Sequence, residues 1–183
     1  MKKIKSSYYI DKFSLSQKFI RFVWNIIWFV FAKPFPRRTF NLWKIFLLKL
    51  FGANIDYSCV VYSSAKIYMP WNLYMDSNSS IGPEVDIYNV DKIYIGSETI
   101  ISQKSYLCSA SHDISKPNFP LITMPIIIQD QVWVGASAFL AMGVKIGTGA
   151  VIGARSSVFK DVNDWDVVGG NPAKFISRRE VIK

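Results

Sequence analysis

The chain has 183 residues, enough for one domain with a solid core, and half of them are hydrophobic, which argues against a disordered protein. Its formal net charge of +9 is uneven, because residues 1–54 hold eleven lysines and arginines against Asp11 alone. Nucleic-acid binding over the whole surface is therefore disfavoured. Two cysteines, Cys59 and Cys108, are too few for a disulfide framework or a zinc cluster, and reduced thiols suit a cytoplasmic protein.

Residues 1–54 form a basic, aromatic-rich segment for which we expect two helices after a loosely ordered stretch over residues 1–18. The apolar run from Phe19 to Ala32 is shorter than the ~20 residues needed to cross a bilayer, and it lacks a signal-peptide cleavage site. A second helix is expected from about Thr39 to Phe51. Two interpretations stay open: the helices cap the open end of a repeat domain, or they lie on an anionic membrane surface.

From Ile55 onward, an aliphatic residue recurs at every sixth position, with two slips of two residues. A period of six is typical of a hexapeptide β-helix, in which each hexad is one side of a three-sided coil. We therefore predict an all-β solenoid, a parallel β-helix of about five coils, over residues 55–178, followed by a basic tail at 179–183. The aliphatic positions are Ile55, Val61, Ile67 and Leu73, then Met75, Ile81, Ile87 and Ile93, then Ile95, Ile101 and Leu107, and finally Ile128, Val134, Leu140, Ile146, Ile152 and Val158.

Small residues and glycines also follow the period. The residue four places after each aliphatic is mostly small, and we expect it to point inward, as at Cys59 and Ser111. Glycine one place after the aliphatic, at Gly135, Gly147 and Gly153, is expected at corners where the backbone needs a positive φ.

The period is interrupted once, by a proline-rich stretch from His112 to Pro125 that we expect to be an extruded loop. His112 is the only histidine of the chain and stands where the coil meets this loop. A lone histidine is more often structural than catalytic. Its position and chemistry nevertheless favour a general base, since histidine is the side-chain type that exchanges protons near neutral pH.

These features together resemble the left-handed β-helix acetyltransferases, and within them the colanic-acid-type group that O-acetylates sugars for bacterial surface polysaccharides. The matching motifs are Ser-His-Asp ending at Asp113, Val-Trp ending at Trp133, and Val-Gly-Gly-Asn-Pro-Ala-Lys ending at Lys174. Shorter matches are Pro-Trp-Asn-Leu from Pro70, Ile-Tyr-Asn ending at Asn89, and Phe-Pro-Leu-Ile from Phe119. Left-handed winding is implied by the resemblance alone, since most parallel crossovers are right-handed.

The resemblance implies a homotrimer in which acetyl-CoA lies between neighbouring prisms and His112 deprotonates an acceptor hydroxyl. The acceptor would be a sugar or a lipid-linked saccharide, with no metal and no nucleic acid. Asn89, Asp113 and Trp133 would contact the acceptor. The residues expected to contact acetyl-CoA are Ala136, Ala154, Lys160 and Lys174. Two positions depart from the family pattern, Phe159 and Ser177, and they put the phosphate contacts of CoA in doubt.

Three other classes of protein are compatible with a hexapeptide β-helix. A β-helix carbonic anhydrase needs three histidine ligands for its zinc, so a single histidine excludes it. An acetyltransferase for a non-sugar small molecule such as an amino acid, and a non-enzymatic membrane scaffold, stay open as alternatives. The expected location is cytoplasmic, peripheral on the cytoplasmic face of the inner membrane.

Overall fold

The six-residue period forms a three-sided parallel β-helix in the computed structural model, which describes residues 13–35 and 40–181. Successive hexads fall on three sheets in turn, which we name sheets A, B and C. Sheet A contains β1 (Asn54–Ile55), β4 (Leu73–Met75), β7 (Ile93–Ile95), β12 (Ile126–Ile128) and β15 (Lys145–Ile146). Sheet C contains β3 (Lys66–Ile67), β6 (Asp86–Tyr88), β9 (Tyr106–Cys108), β14 (Phe139–Leu140) and β17 (Ser157–Val158).

Sheet B carries the end of the β-helix. It contains β2 (Val60–Val61), β5 (Ser80–Ile81), β8 (Ile100–Ile101), β13 (Trp133–Val134), β16 (Val151–Ile152), β18 (Asp166–Gly169) and β19 (Lys174–Arg178). Within sheet B the pairing is parallel except between β18 and β19, where the chain turns back on itself. In the described residues this makes five complete coils, and a bridge from Ile146 to Val162 begins a sixth. The predicted solenoid of about five coils is confirmed.

The aliphatic residues of the period line the inside of the prism, and every one of them is buried. The two slips of two residues arise because β4 and β7 are three residues long and turn both ends inward, as β12 also does after the interruption. Leu73 and Met75, for example, both enter the core from β4. Each slip therefore extends one side of a coil without breaking the stack.

Two details of the repeat were predicted wrongly. Gly135, Gly147 and Gly153 do not adopt a positive φ; left-handed backbone occurs two residues further on, as at Arg155 with φ 59°. The glycines are needed instead because neighbouring coils approach each other closely there. A Cβ on Gly147, for example, would lie 2.4 Å from an amide nitrogen of the next coil. Ser111 is exposed rather than inward, since it belongs to the extruded arm described below.

Helices α1 (Leu15–Phe31) and α2 (Asn41–Leu50) precede the coils. Ser14 caps α1 through a capping box with Gln17, so the expectation of loose order is wrong for residues 14–18. Residues 1–12 lie outside the described part of the chain. No helix within 13–35 or 40–181 is long and apolar enough to cross a membrane.

The two helices close the open end of the first coil with side-chain donors. The indole nitrogens of Trp24 and Trp28 donate to the backbone oxygens of Ile67 and Ala65, at 2.7 and 3.1 Å. The ammonium of Lys44 is buried against another carbonyl of that coil at 2.6 Å, and burial lowers its pKa. These donors satisfy strand carbonyls that have no preceding coil to pair with. The capping interpretation of the helices therefore holds.

Candidate active site

The interruption of the repeat is a two-stranded arm that projects from the corner between sheets C and A. Its strands are β10 (Ala110–His112) and β11 (Leu121–Thr123), which pair antiparallel with His112 opposite Leu121. The arm leaves sheet C directly after β9 and rejoins sheet A at Ile126. The stretch predicted as an irregular loop is thus anchored by its own hydrogen bonds, which fixes where His112 stands.

His112 lies on the exposed outer end of β10, and its ring is held by the arm itself. The Nδ1 atom is 2.5 Å from the backbone oxygen of Phe119. A carbonyl oxygen can only accept a hydrogen bond, so Nδ1 carries the proton and the neutral ring keeps its lone pair on Nε2. An imidazole with a free, solvent-facing Nε2 is equipped to take a proton from a bound hydroxyl.

The carbonyl that orients His112 belongs to a residue with an unusual backbone. Phe119 has φ 43°, a left-handed conformation that is uncommon for a residue with a bulky side chain. Strain of this kind is frequent where a site must hold a group in place. Sequence reasoning missed Phe119 as a positioning residue, because the residue before a proline is ordinarily extended.

Asp113 follows the histidine but turns away from it. Its carboxylate accepts hydrogen bonds from the backbone and hydroxyl of Ser115, at 3.0 and 2.6 Å, and pairs with Lys116 at 3.3 Å. These hydrogen bonds, led by that from the Ser115 hydroxyl, lower the pKa of the Asp113 carboxyl. The carboxylate shapes the turn of the arm, and its predicted contact with an acceptor stays a prediction.

Trp133 lies on the outer face of sheet B, about half exposed, with its indole nitrogen donating to the Ser102 hydroxyl at 2.9 Å. It is therefore on a different side of the prism from the arm. Asn89 is fully buried, and its amide exchanges hydrogen bonds with both backbone groups of Met69, at 2.9 and 2.6 Å. Asn89 thus joins two coils, and its role toward an acceptor stays a prediction.

Ala136, Ala154 and Lys174 lie along one edge, the corner between sheets B and C, whereas Lys160 follows β17 of sheet C and lies at the C–A corner, the corner from which the arm projects. Ala136 and Ala154 occupy the B–C corner on neighbouring coils, where the amide of Arg155 donates to the Ala136 oxygen at 2.8 Å. The next turn continues the edge, because Ala173, just before Lys174, donates to Ser157 at 2.8 Å. Ala154, Lys160 and Lys174 are exposed. The edge offers small residues along its length and the Lys174 ammonium toward its end.

Within one chain, the arm and this edge are separated by the full width of sheet C. The arm leaves after β9 at the C–A corner, whereas Ala136 and Ala154 precede the sheet C strands at the B–C corner. The structure brings Ala136, Ala154 and Lys174 together away from His112 of the same copy, and it places Lys160 apart from them, at the corner of the arm. Within residues 13–35 and 40–181, no three His, Cys, Asp or Glu side chains are placed to hold a metal ion.

Comparison with known proteins identifies the family. Over 137 residues the chain is 44% identical to the putative colanic acid biosynthesis acetyltransferase WcaF of Escherichia coli K12, covering 75% of each chain. It is 28% identical over 118 residues to the putative lipopolysaccharide biosynthesis O-acetyl transferase WbbJ of Escherichia coli K12, covering 58% of this chain and 60% of the relative. No family model matches the chain.

Among solved structures, the hexapeptide-repeat acetyltransferase VCA0836 of Vibrio cholerae O1 biovar eltor, complexed with acetyl coenzyme A, has the same fold. The TM-score is 0.81 at 24% identity, and 94% of each chain is covered. The predicted fold class and family resemblance are both confirmed. The chain therefore belongs to the acetyltransferases with a left-handed, hexapeptide-repeat β-helix.

Proposed function

We propose that this enzyme transfers the acetyl group of acetyl-CoA to a sugar hydroxyl during the synthesis of a bacterial surface polysaccharide. The observation that carries the proposal is the exposed His112, whose Nδ1 is held by the Phe119 oxygen on an arm anchored by its own strand pairing, which leaves Nε2 to accept a proton. The relatives named for colanic acid and lipopolysaccharide biosynthesis support the polysaccharide setting. The acetyl-CoA complex of the Vibrio protein supports acetyl-CoA as the co-substrate.

The proposed reaction is a direct transfer without an acyl-enzyme. Nε2 of His112 takes the proton of the acceptor hydroxyl while that oxygen attacks the thioester carbonyl. The tetrahedral intermediate collapses, the C–S bond breaks, and the imidazolium returns the proton to the departing thiolate of CoA. The Phe119 oxygen stabilises the imidazolium through its hydrogen bond to Nδ1. Holding both substrates together supplies much of the acceleration.

The site is proposed to form between two copies of the chain in a homotrimer. One prism places Ala136 and Ala154 at the B–C corner and His112 beyond the C–A corner, so a neighbouring copy has to bring its arm to the edge. Trp133, half exposed on sheet B, would then line the joint with a neighbour, and Asp113 would approach the acceptor from the arm. Lys160 and Lys174 would contact the phosphates of CoA.

The enzyme is proposed to work in the cytoplasm, resting on the membrane through the outer faces of α1 and α2. Those faces expose a row of large apolar residues that the prism does not cover: Leu15, Phe19, Phe22, Ile26, Phe29, Leu42, Phe46 and Leu50. The basic surplus of residues 1–54 complements an anionic lipid surface. Lys44 and Lys49 are not available to bind lipid headgroups, because both donate hydrogen bonds to backbone carbonyls of the first coil.

The direct test is acetyl transfer from acetyl-CoA to a panel of saccharides, read by mass spectrometry, with wild-type and His112→Asn enzyme. Asparagine keeps much of the volume of histidine and can still donate to the Phe119 oxygen, but it cannot accept the proton. Loss of a general base lowers kcat by roughly 10²–10⁴-fold. We expect that loss, with acetyl-CoA affinity and melting temperature nearly unchanged.

The matched control is Lys116→Ala, an exposed change on the same arm that should leave kcat within about threefold of wild type. If His112→Asn keeps more than about a tenth of wild-type kcat at saturating substrate, His112 is not the base. If the wild type acetylates an amino acid and no sugar, or shows no saturation with acetyl-CoA, the proposed function itself is wrong.

A further inference from the structure

The outer face of sheet A carries a continuous column of side chains that the proposed reaction does not use. Strand pairing aligns Asn54 with Tyr74, Tyr74 with Tyr94, Tyr94 with Ile127, and Ile127 with Lys145. Each of the five therefore stands directly above the next on successive coils. With neighbouring strands ~4.8 Å apart, the column is about 19 Å long.

The centre of the column is a tyrosine stack beside an open groove. The rings of Tyr74 and Tyr94 are 4.7 Å apart and inclined by 26°. The groove that they line has a volume of about 660 Å³ and is bounded on its polar side by Asp76, Gln129 and Thr148. A groove of this size matches those that hold small organic ligands.

Several polar groups of the groove face solvent without a partner inside the protein. Among the residues that the structure describes, the amide of Asn54 and the carboxylate of Asp76 make no hydrogen bond through their side chains, and both residues are exposed. The hydroxyls of Tyr74 and Tyr94 likewise have no protein partner there. Carboxylate, amide and phenol groups around an aromatic surface can accept from and donate to hydroxyls while apolar C–H groups pack on the rings.

The groove begins where the catalytic arm ends. Pro125, which precedes β12, forms part of the wall of the groove, and the arm that carries His112 rejoins sheet A at the next residue. A chain of several linked sugars lying along the column would therefore reach the base of the arm. A single sugar bound at His112 would leave the groove unused.

We propose that the sheet A groove is a second binding site for the acceptor, which takes a saccharide of several linked units and holds the sugars that are not acetylated. Tyr74 and Tyr94 would pack against sugar C–H faces, and Asn54 and Asp76 would bind sugar hydroxyls. The inference rests on the proposed function, and it makes an oligosaccharide or polysaccharide the preferred acceptor over a single activated sugar.

The experiment compares acceptors of one to six units that share the sugar acetylated by the wild type. For the wild type, kcat/KM should rise at least about tenfold between one and four units, which corresponds to about 1.4 kcal/mol. In the double variant Tyr74→Ala/Tyr94→Ala, kcat/KM should no longer rise with acceptor length, because KM for the longer acceptors increases. The kcat value and the transfer to the single sugar should stay as in the wild type. The matched control is Tyr62→Ala, a half-buried tyrosine after β2 and away from sheet A, which should keep the length dependence.

Four outcomes would overturn the inference. A wild type that gains nothing from a longer acceptor, or a double variant that keeps the gain, would show that sheet A does not bind the acceptor. A double variant that changes its oligomeric mass in light scattering would assign the face to contact between copies. A wild type that acetylates no saccharide of any length would contradict the proposed function as well as this inference. The first two outcomes, by contrast, would contradict only this inference, so the two failures can be told apart.

Discussion

Single glycines decide how closely the coils can stack at their corners. A Cβ on Gly147 would lie 2.4 Å from the amide nitrogen of Asp164 and 2.6 Å from the carbonyl carbon of Asn163, both backbone atoms that cannot rotate away. At Gly153, in the equivalent position one coil side later, the nearest backbone atom would be 3.2 Å away. The same position of the repeat therefore has no room for a Cβ at Gly147 and almost enough room for one at Gly153.

Gly147→Ala should destabilise the protein much more than Gly153→Ala. Overpacking a tight site costs about 1–3 kcal/mol, which corresponds to a fall in melting temperature of roughly 3–10 °C for a chain of this size. Gly153→Ala should change the melting temperature by less than about 2 °C, since the neighbouring atoms need to give way only slightly. Equal losses in a thermal melt would contradict close approach as the reason for these glycines.

The glycines also show where sequence reasoning stopped short. The six-residue period was enough to predict which aliphatic residues point inward, because aliphatic residues recur at the positions that the prism buries. The period could not distinguish a glycine that adopts a positive φ from a glycine whose Cβ would collide with the next coil, since both requirements select glycine. The same holds for His112: its place at the edge of the arm was predictable, but the Phe119 carbonyl that orients its ring comes from seven residues away.

At the scale of elements, α1 and α2 have two different faces. Their inner faces cap the first coil through Trp24, Trp28 and Lys44. Their outer faces are apolar, with Phe19 and Phe22 exposed by 67% and 60%. The sequence predicted both helices and left their role open, because apolar residues all around a helix do not reveal which of them the prism covers. The structure assigns the tryptophans of α1 to the cap rather than to a membrane.

The membrane proposal predicts that the protein floats with anionic vesicles and that raised salt weakens this binding, since exposed charges are screened over ~10 Å at 0.1 M ionic strength. Phe19→Ser combined with Phe22→Ser should reduce binding by more than about tenfold, because each buried phenylalanine contributes about 1.5–3 kcal/mol. Val181→Ser, an exposed apolar residue near the other end of the chain, serves as the control. Equal flotation with neutral and anionic vesicles, or none with either, would refute the proposal.

At the scale of the whole molecule, the left-handed β-helix separates the parts of the site. The prism holds the Ala136–Ala154 edge and the His112 arm at the two corners of sheet C, so the two lie apart within one copy. The period and its one interruption predicted the fold and the position of an extruded segment, and His112 as the base stays a prediction. The sequence could not predict this separation, because which corner a residue occupies depends on counting coil sides through the slips. If Ala136 and Ala154 contact acetyl-CoA and His112 is the base, as proposed, the site needs a second copy of the chain.

Subunit complementation tests this shared site most directly. His112→Asn removes the base, and Ala154→Trp fills the exposed CoA edge with a large ring. Each variant alone should form a trimer of normal mass and show almost no transfer. When both are co-expressed with different tags and the mixed trimers are purified, about one third of their sites combine an intact arm with an intact edge from the neighbour, because a ring of two kinds of subunit has one such interface in three. We therefore predict that roughly a third of wild-type activity returns. Mixed trimers that stay inactive would show that each copy carries its own complete site, and the account of a shared active site would be wrong.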